Sequence, residues 1–65
     1  MISSVQRFKV IIEGHGWEDF DEIELPRPPS EGETLETKLG TCIVTGVDPM
    51  PDSEQFAGSI RCRMP

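Results

Sequence analysis

The chain has one histidine, two cysteines and no apolar run longer than the three residues of Val10–Ile12. The cysteines lack CxxC spacing, and a zinc site would need four ligands where only His15 could supplement them. No motif places a serine or cysteine beside His15, as nucleophilic catalysis would require. The sequence therefore predicts no catalytic residue, no metal site and no cofactor.

The length of the chain also argues against an enzyme. Its 65 residues suffice for one domain, 1–65. A domain of this size buries only about 60% of the surface that its unfolded chain exposes. Its core must use nearly all of the large apolar side chains, which leaves few to line a deep pocket. We therefore expect a non-catalytic protein.

The opening segment 1–10 lacks the long apolar stretch and the small-residue cleavage site of a secretory signal. No other stretch is long enough to span a membrane. We therefore expect a complete cytoplasmic protein with no membrane partner. In reducing cytosol we expect Cys42 and Cys62 to be free, buried thiols, with a disulfide between them as the alternative.

Apolar and charged residues alternate along much of the chain, as in strands buried on one face. Phe8, Val10 and Ile12 show the pattern first, and Ile23 and Leu25 repeat it. Five strands are predicted: Val5–Glu13, Phe20–Pro26, Glu33–Lys38, Thr41–Val47 and Phe56–Met64. No helix is predicted beyond one short turn within Pro51–Phe56.

Two hairpin registers follow from matching apolar residues with one another and opposite charges with one another. The first hairpin is predicted to pair Val10 with Ile23, Phe8 with Leu25, Ile12 with Asp21 and Lys9 with Glu24. The last is predicted to pair Val44 with Ile60, Gly46 with Gly58 and Cys42 with Cys62. Between them, a tight reversal at Leu39-Gly40 takes either two or three residues, so its register is open by one.

These elements predict an all-β fold, a small five-stranded antiparallel barrel or strongly twisted sheet. Its opening hairpin, proline-rich connector and three-strand meander are similar in layout to the SH3-like barrels. The ALYDY-type residues of peptide-binding SH3 domains are absent, so no binding residues carry over. The architectural alternative is an open sheet completed as a homodimer through a second apolar face that includes Ile11, Ile43 and Val47.

Acidic residues outnumber basic ones by twelve to six. Nine of the acids lie between Glu13 and Glu36, against the single base Arg27. Such a surface serves solubility, and it also repels phosphate and favours cationic partners.

Aromatic side chains stand beside these acids in and after the Gly14–Trp17 loop, and an indole flanked by carboxylates can hold a cationic side chain. The predicted binding residues are Trp17, Glu18, Asp19, Phe20 and Glu22. The alternative interpretation of Trp17 is that its ring closes one end of the barrel.

The leading functional hypothesis is therefore a protein-interaction module that contacts a cationic or extended peptide. One alternative is a nucleic-acid-associated small barrel that uses Arg7, Lys9, Arg61 and Arg63, although the net negative charge opposes binding to nucleic acid. The other alternative is a structural subunit of an assembly.

Overall fold

The structure, a computed structural model, describes residues 5–65; residues 1–4, with which the opening segment begins, lie outside the described residues. It contains five strands, so the predicted all-β fold is confirmed. They are β1 (Gln6–Glu13), β2 (Glu18–Leu25), β3 (Thr34–Thr37), β4 (Gly40–Pro49) and β5 (Gly58–Arg63). Within residues 5–65 there is no helix with the length and apolarity needed to cross a membrane.

The five strands form one sheet in the order β2-β1-β5-β4-β3, which curls into a half-barrel. The predicted opening hairpin and the β3-β4-β5 meander are both present. The two units join where β1 and β5 run parallel, so the prediction of an antiparallel sheet is wrong at this pair. This strand order does not confirm the SH3-like layout.

The parallel pair is held along its whole length. Its register sets Phe8 beside Gly58 and Val10 beside Ile60. Beyond the strand ends, the Ala57 N–H donates to the Arg7 carbonyl at 2.8 Å and the Met64 N–H donates to the Glu13 carbonyl at 2.9 Å. Gly58 has no room for a side chain, because a Cβ there would lie 2.8 Å from the Asp48 carbonyl oxygen.

The β1–β2 hairpin differs from its predicted register by two residues. Phe8 pairs with Ile23, Lys9 with Glu22 and Val10 with Asp21. The reason is a short loop: the Gly14 N–H donates to the Trp17 carbonyl at 2.9 Å, and β2 begins at the next residue. Because the shift is even, every side chain keeps its predicted face.

The β3–β4 reversal places Lys38 and Leu39 at the turn, since Thr37 pairs with Gly40. Gly40 has a φ of 118°, a backbone conformation that side-chain-bearing residues rarely adopt. The positive φ therefore falls on Gly40, and Leu39 avoids it. The Thr37 hydroxyl further closes the turn by donating to the Gly40 carbonyl at 2.8 Å.

The β4–β5 hairpin contains a bulge at Thr45 that the sequence pattern does not reveal. Val44 pairs with Cys62 on one side of the bulge, and Val47 pairs with Ile60 on the other. The predicted pairs Val44–Ile60, Gly46–Gly58 and Cys42–Cys62 are therefore wrong. The extra residue turns Val47 toward the core, where it is partly buried, so Val47 does not belong to the predicted second apolar face.

The core lies on the concave face of the half-barrel and draws on four of the strands. All of its members are apolar or thiol side chains that solvent barely reaches: Phe8, Val10, Ile12, Leu35, Cys42, Val44, Ile60 and Cys62. Partly buried side chains pack around them: Ile23, Leu25, Val47 and Met64. None of the described buried residues is polar or charged.

Two isoleucines allow this assignment of faces to be tested. Ile60 is fully buried, whereas Ile43 is 41% exposed on the convex face. We expect Ile60→Val to lower the free energy of unfolding by about 0.5–1.5 kcal/mol, because it removes a buried methyl group. The matched Ile43→Val should change it by less than about 0.5 kcal/mol. Urea unfolding measures both, and equal losses would contradict the assignment.

Candidate functional site

Strand alternation separates the five predicted binding residues. Glu18, Phe20 and Glu22 point to the convex side of β2, called here the outer face, while Asp19 belongs to the opposite side. Trp17 lies outside the strand, in the loop. The structure thus brings three of the five predicted residues onto one surface.

Phe20 is the aromatic residue of that surface. Its side chain is 49% exposed, and its strand neighbour is Ile11, which is half-buried on the same face. The Lys9 ammonium lies 5.6 Å from the centroid of the Phe20 ring, within the range of a cation–π contact. Phe20 therefore contributes nothing to the core and already holds one cation of its own chain.

Trp17 packs against its own loop. The indole covers Gly14 so closely that a Cβ on Gly14 would overlap the ring. The side chain is nevertheless 45% exposed and is not among the residues packed on the core. Trp17 therefore shapes the hairpin loop and presents one side of its ring to solvent.

Asp19 and Asp21 connect the edge of β2 to the β3–β4 turn. One oxygen of Asp21 accepts from the Glu22 N–H at 2.8 Å, and the other accepts from the Lys38 N–H at 3.0 Å. The Asp19 carboxylate lies 3.6 Å from the Lys38 ammonium and accepts from the Phe20 N–H at 2.8 Å. We call this group, Asp19, Asp21 and Lys38, the edge latch.

The edge latch determines how β2 meets solvent. The amides of Phe20 and Glu22, which point away from β1, are already bonded to aspartate side chains. An added peptide strand would have to displace these bonds, so β2 is a poor template for strand addition at this point. At these two residues the edge of β2 is therefore occupied, whereas the outer face of the strand is exposed to solvent.

Two acids of the outer face, Glu22 and Glu24, are partly neutralised. Arg7 lies 3.7 Å from Glu22 and 3.8 Å from Glu24. All three side chains are more than half exposed, so each ion pair contributes at most about 1 kcal/mol and weakens in salt. Both carboxylates therefore remain accessible from solvent.

Four basic residues lie on the outer face of two adjacent strands, an arrangement that the sequence alone does not reveal. We call them the basic strip: Arg7 and Lys9 on β1, and Arg61 and Arg63 on β5. The parallel register sets Ile11 beside Arg61 and Glu13 beside Arg63. None of the ion pairs within residues 5–65 involves Arg61 or Arg63. Only the strand order brings the basic strip together, and no local pattern indicates that order.

The two cysteines are buried, free thiols on adjacent strands. Cys42 lies two residues beyond the pairing partner of Cys62, so the two are diagonal neighbours. Burial raises the pKa of the Cys62 thiol to about 12, and the adjacent Cys42 thiol and the Glu13 carboxylate add to the effect. Cys62 is thus a neutral, weakly nucleophilic thiol at neutral pH.

Comparisons of the chain with protein-family models, with curated proteins and with solved structures found no match.

The edge latch can be tested through Asp21. We expect Asp21→Ala to lower the free energy of unfolding by about 1–2 kcal/mol, because two backbone amides lose a charged acceptor. The Lys38 amide should then exchange its hydrogen faster. Glu24→Ala is the matched control, since it removes only an exposed ion pair and should cost less than about 1 kcal/mol. Equal losses in the two variants would argue against the latch.

The raised pKa of Cys62 predicts alkaline sensitivity. The native state keeps the thiol proton more tightly than the unfolded chain, whose cysteine has a pKa of 9.0. The stability contributed by the neutral thiol is therefore complete below about pH 9 and is lost as pH rises toward about 12. Urea unfolding across this range should show stability falling with pH. In Cys62→Ala the fall should be shallower, and an identical slope would contradict the prediction.

Proposed function

We propose that this chain is a non-catalytic protein-interaction module whose outer face on β1 and β2 contacts a cationic peptide segment of a partner. The observation that carries the proposal is Phe20, an aromatic side chain 49% exposed in mid-strand between Glu18 and Glu22. A strand position that faces solvent gains only a little stability from a half-exposed phenyl ring, through its contacts with Lys9 and Ile11. A partner's arginine or lysine would gain both ring contact and charge pairing there.

The surroundings of Phe20 agree with this proposal. A surface groove of about 500 Å³ borders the ring, and its charged lining consists of the acids Asp21 and Glu22 and the bases Lys9 and Lys38. Lys9 occupies the ring now at a distance of 5.6 Å, which shows that this position accommodates a cation. A partner cation would displace Lys9 to solvent at small cost, because Lys9 is exposed.

The basic strip favours a second candidate, contact with a nucleic-acid backbone. Arg61 and Arg63 take part in no ion pair within residues 5–65. The partly exposed apolar side chains nearby, Ile11 next to Arg61 and Phe20 next to Ile11, could pack against nucleobases. Against this candidate, Arg7 is already engaged by Glu22 and Glu24. The chain also carries a net charge of −6, which repels phosphate at longer range.

A titration with two synthetic peptides tests the proposal. One peptide alternates arginine and valine, and the other carries glutamate in place of arginine. We expect only the basic peptide to shift the amide resonances of Glu18, Phe20 and Glu22. Phe20→Ala should weaken its binding about tenfold or more, as removal of a central aromatic contact does. The matched control is Leu39→Ala, since Leu39 is 42% exposed on the β3–β4 turn.

Three outcomes would count against the proposal. The first is equal binding of the two peptides, and the second is a loss of binding in Phe20→Ala no greater than that in Leu39→Ala. The third is binding of a labelled single-stranded oligonucleotide, with the logarithm of affinity falling by about 1.4 per decade of salt if two phosphates are neutralised. Loss of that binding in the double variant Arg61→Gln, Arg63→Gln would establish the second candidate in its place.

A further inference from the structure

Three sulfur atoms converge where β4 begins and β5 ends. The Cys42 thiol donates to the Met64 thioether sulfur at 3.1 Å. Cys62 is the diagonal neighbour of Cys42 on the adjacent strand. Both cysteines are fully buried, and Met64 is partly buried against the core. Nothing in the proposed protein-binding surface uses this group, which we call the sulfur cluster.

The fold positions all three residues of the cluster through its backbone. Cys62 and Met64 are two residues apart, so they share the concave side of the sheet. Although Met64 follows the last strand residue, its N–H still donates to the Glu13 carbonyl at 2.9 Å. The Met64 methyl group lies next to Gly40, where a Cβ would be in ordinary van der Waals contact with it at 3.8 Å.

We propose that Cys42, Cys62 and Met64 bind one Cu(I) ion through their three sulfur atoms. Thiolate and thioether sulfur are the soft ligands that select Cu(I), and three of them suffice for this ion. Zinc would need a fourth ligand, and no group of three or more His, Cys, Asp or Glu side chains within residues 5–65 could hold a metal. Binding releases the two thiol protons to solvent and leaves copper in the same oxidation state.

A surface cavity of about 370 Å³ lies beside the cluster and is lined by Met64 together with His15 and Arg63. Met64 is the member of the cluster that this cavity reaches, since both cysteines are fully buried. With metal–sulfur bonds of about 2.3 Å, a triangle of sulfurs needs edges of about 4 Å. The 3.1 Å separation between the Cys42 and Met64 sulfurs must therefore widen by about 1 Å when the ion binds.

The test titrates the reduced full-length chain with Cu(I) in the absence of oxygen, against a chromophoric Cu(I) chelator. We expect one Cu(I) per chain, three sulfur neighbours in X-ray absorption, and an affinity that rises about 100-fold per pH unit because two protons leave. Met64→Leu keeps the side-chain volume and should weaken binding about tenfold or more. Met50→Leu is the matched control, because Met50 lies in the β4–β5 loop.

Variant folding is checked by circular dichroism, so that lost binding is not confused with unfolding. Cys42→Ala and Cys62→Ala should each lower the affinity further than Met64→Leu does. Binding no tighter in the native chain than in the Cys42→Ala, Cys62→Ala double variant would overturn the proposal. Equal affinities for Met64→Leu and Met50→Leu, or an affinity independent of pH, would do the same.

Discussion

The parallel pairing of β1 with β5 is the contact on which the rest of the molecule depends. Without it the chain would be a two-stranded hairpin and a separate three-stranded meander, neither with enough apolar surface to be stable alone. The pairing brings Phe8, Val10 and Ile12 against Ile60 and Cys62, which unites both parts into one core. Gly58 begins β5 between its two neighbouring strands, because a Cβ there would lie 2.8 Å from the Asp48 carbonyl oxygen of β4 and 3.4 Å from the Phe8 ring of β1.

The same pairing distributes charge over the surface. It sets Ser59 beside Lys9 and Arg61 beside Ile11, so the basic strip runs diagonally across β1 and β5 on the outer face, and the acids of β2 border it. At the far side of β2, the edge latch uses Asp19 and Asp21 to hold the β3–β4 turn. The acidic stretch thus divides into carboxylates that close the half-barrel and carboxylates, such as Glu18 and Glu22, that face solvent.

Local patterns predicted the strands well, because alternation depends on burial of one face and needs no knowledge of the neighbouring strand. They were insufficient for register: the first hairpin differs by two residues, because the predicted register matches more apolar pairs on the core face whereas the observed one matches more opposite charges, Arg7 with Glu24 and Lys9 with Glu22. No sequence pattern indicates the bulge at Thr45, yet the bulge explains why Val47 interrupts the alternation of buried and exposed residues along β4. Alternation along β2 already predicts that Asp19 lies on the opposite face from Glu18 and Phe20. The basic strip, in contrast, can be predicted only when the order of the strands is known.

In a core this small, the buried residues that stabilise the fold include the ones that carry reactive groups. Two of its eight buried residues are cysteines, where valine or alanine would pack with no ionisable group. The Cys42 thiol gains its hydrogen bond only because Met64 continues the β1–β5 pairing beyond the strand end. The hydrogen bond from the Met64 N–H to the Glu13 carbonyl therefore orders the end of the chain and also positions the third sulfur atom of the cluster. The parallel pair therefore determines the position of the interior sulfurs as well as that of the surface bases.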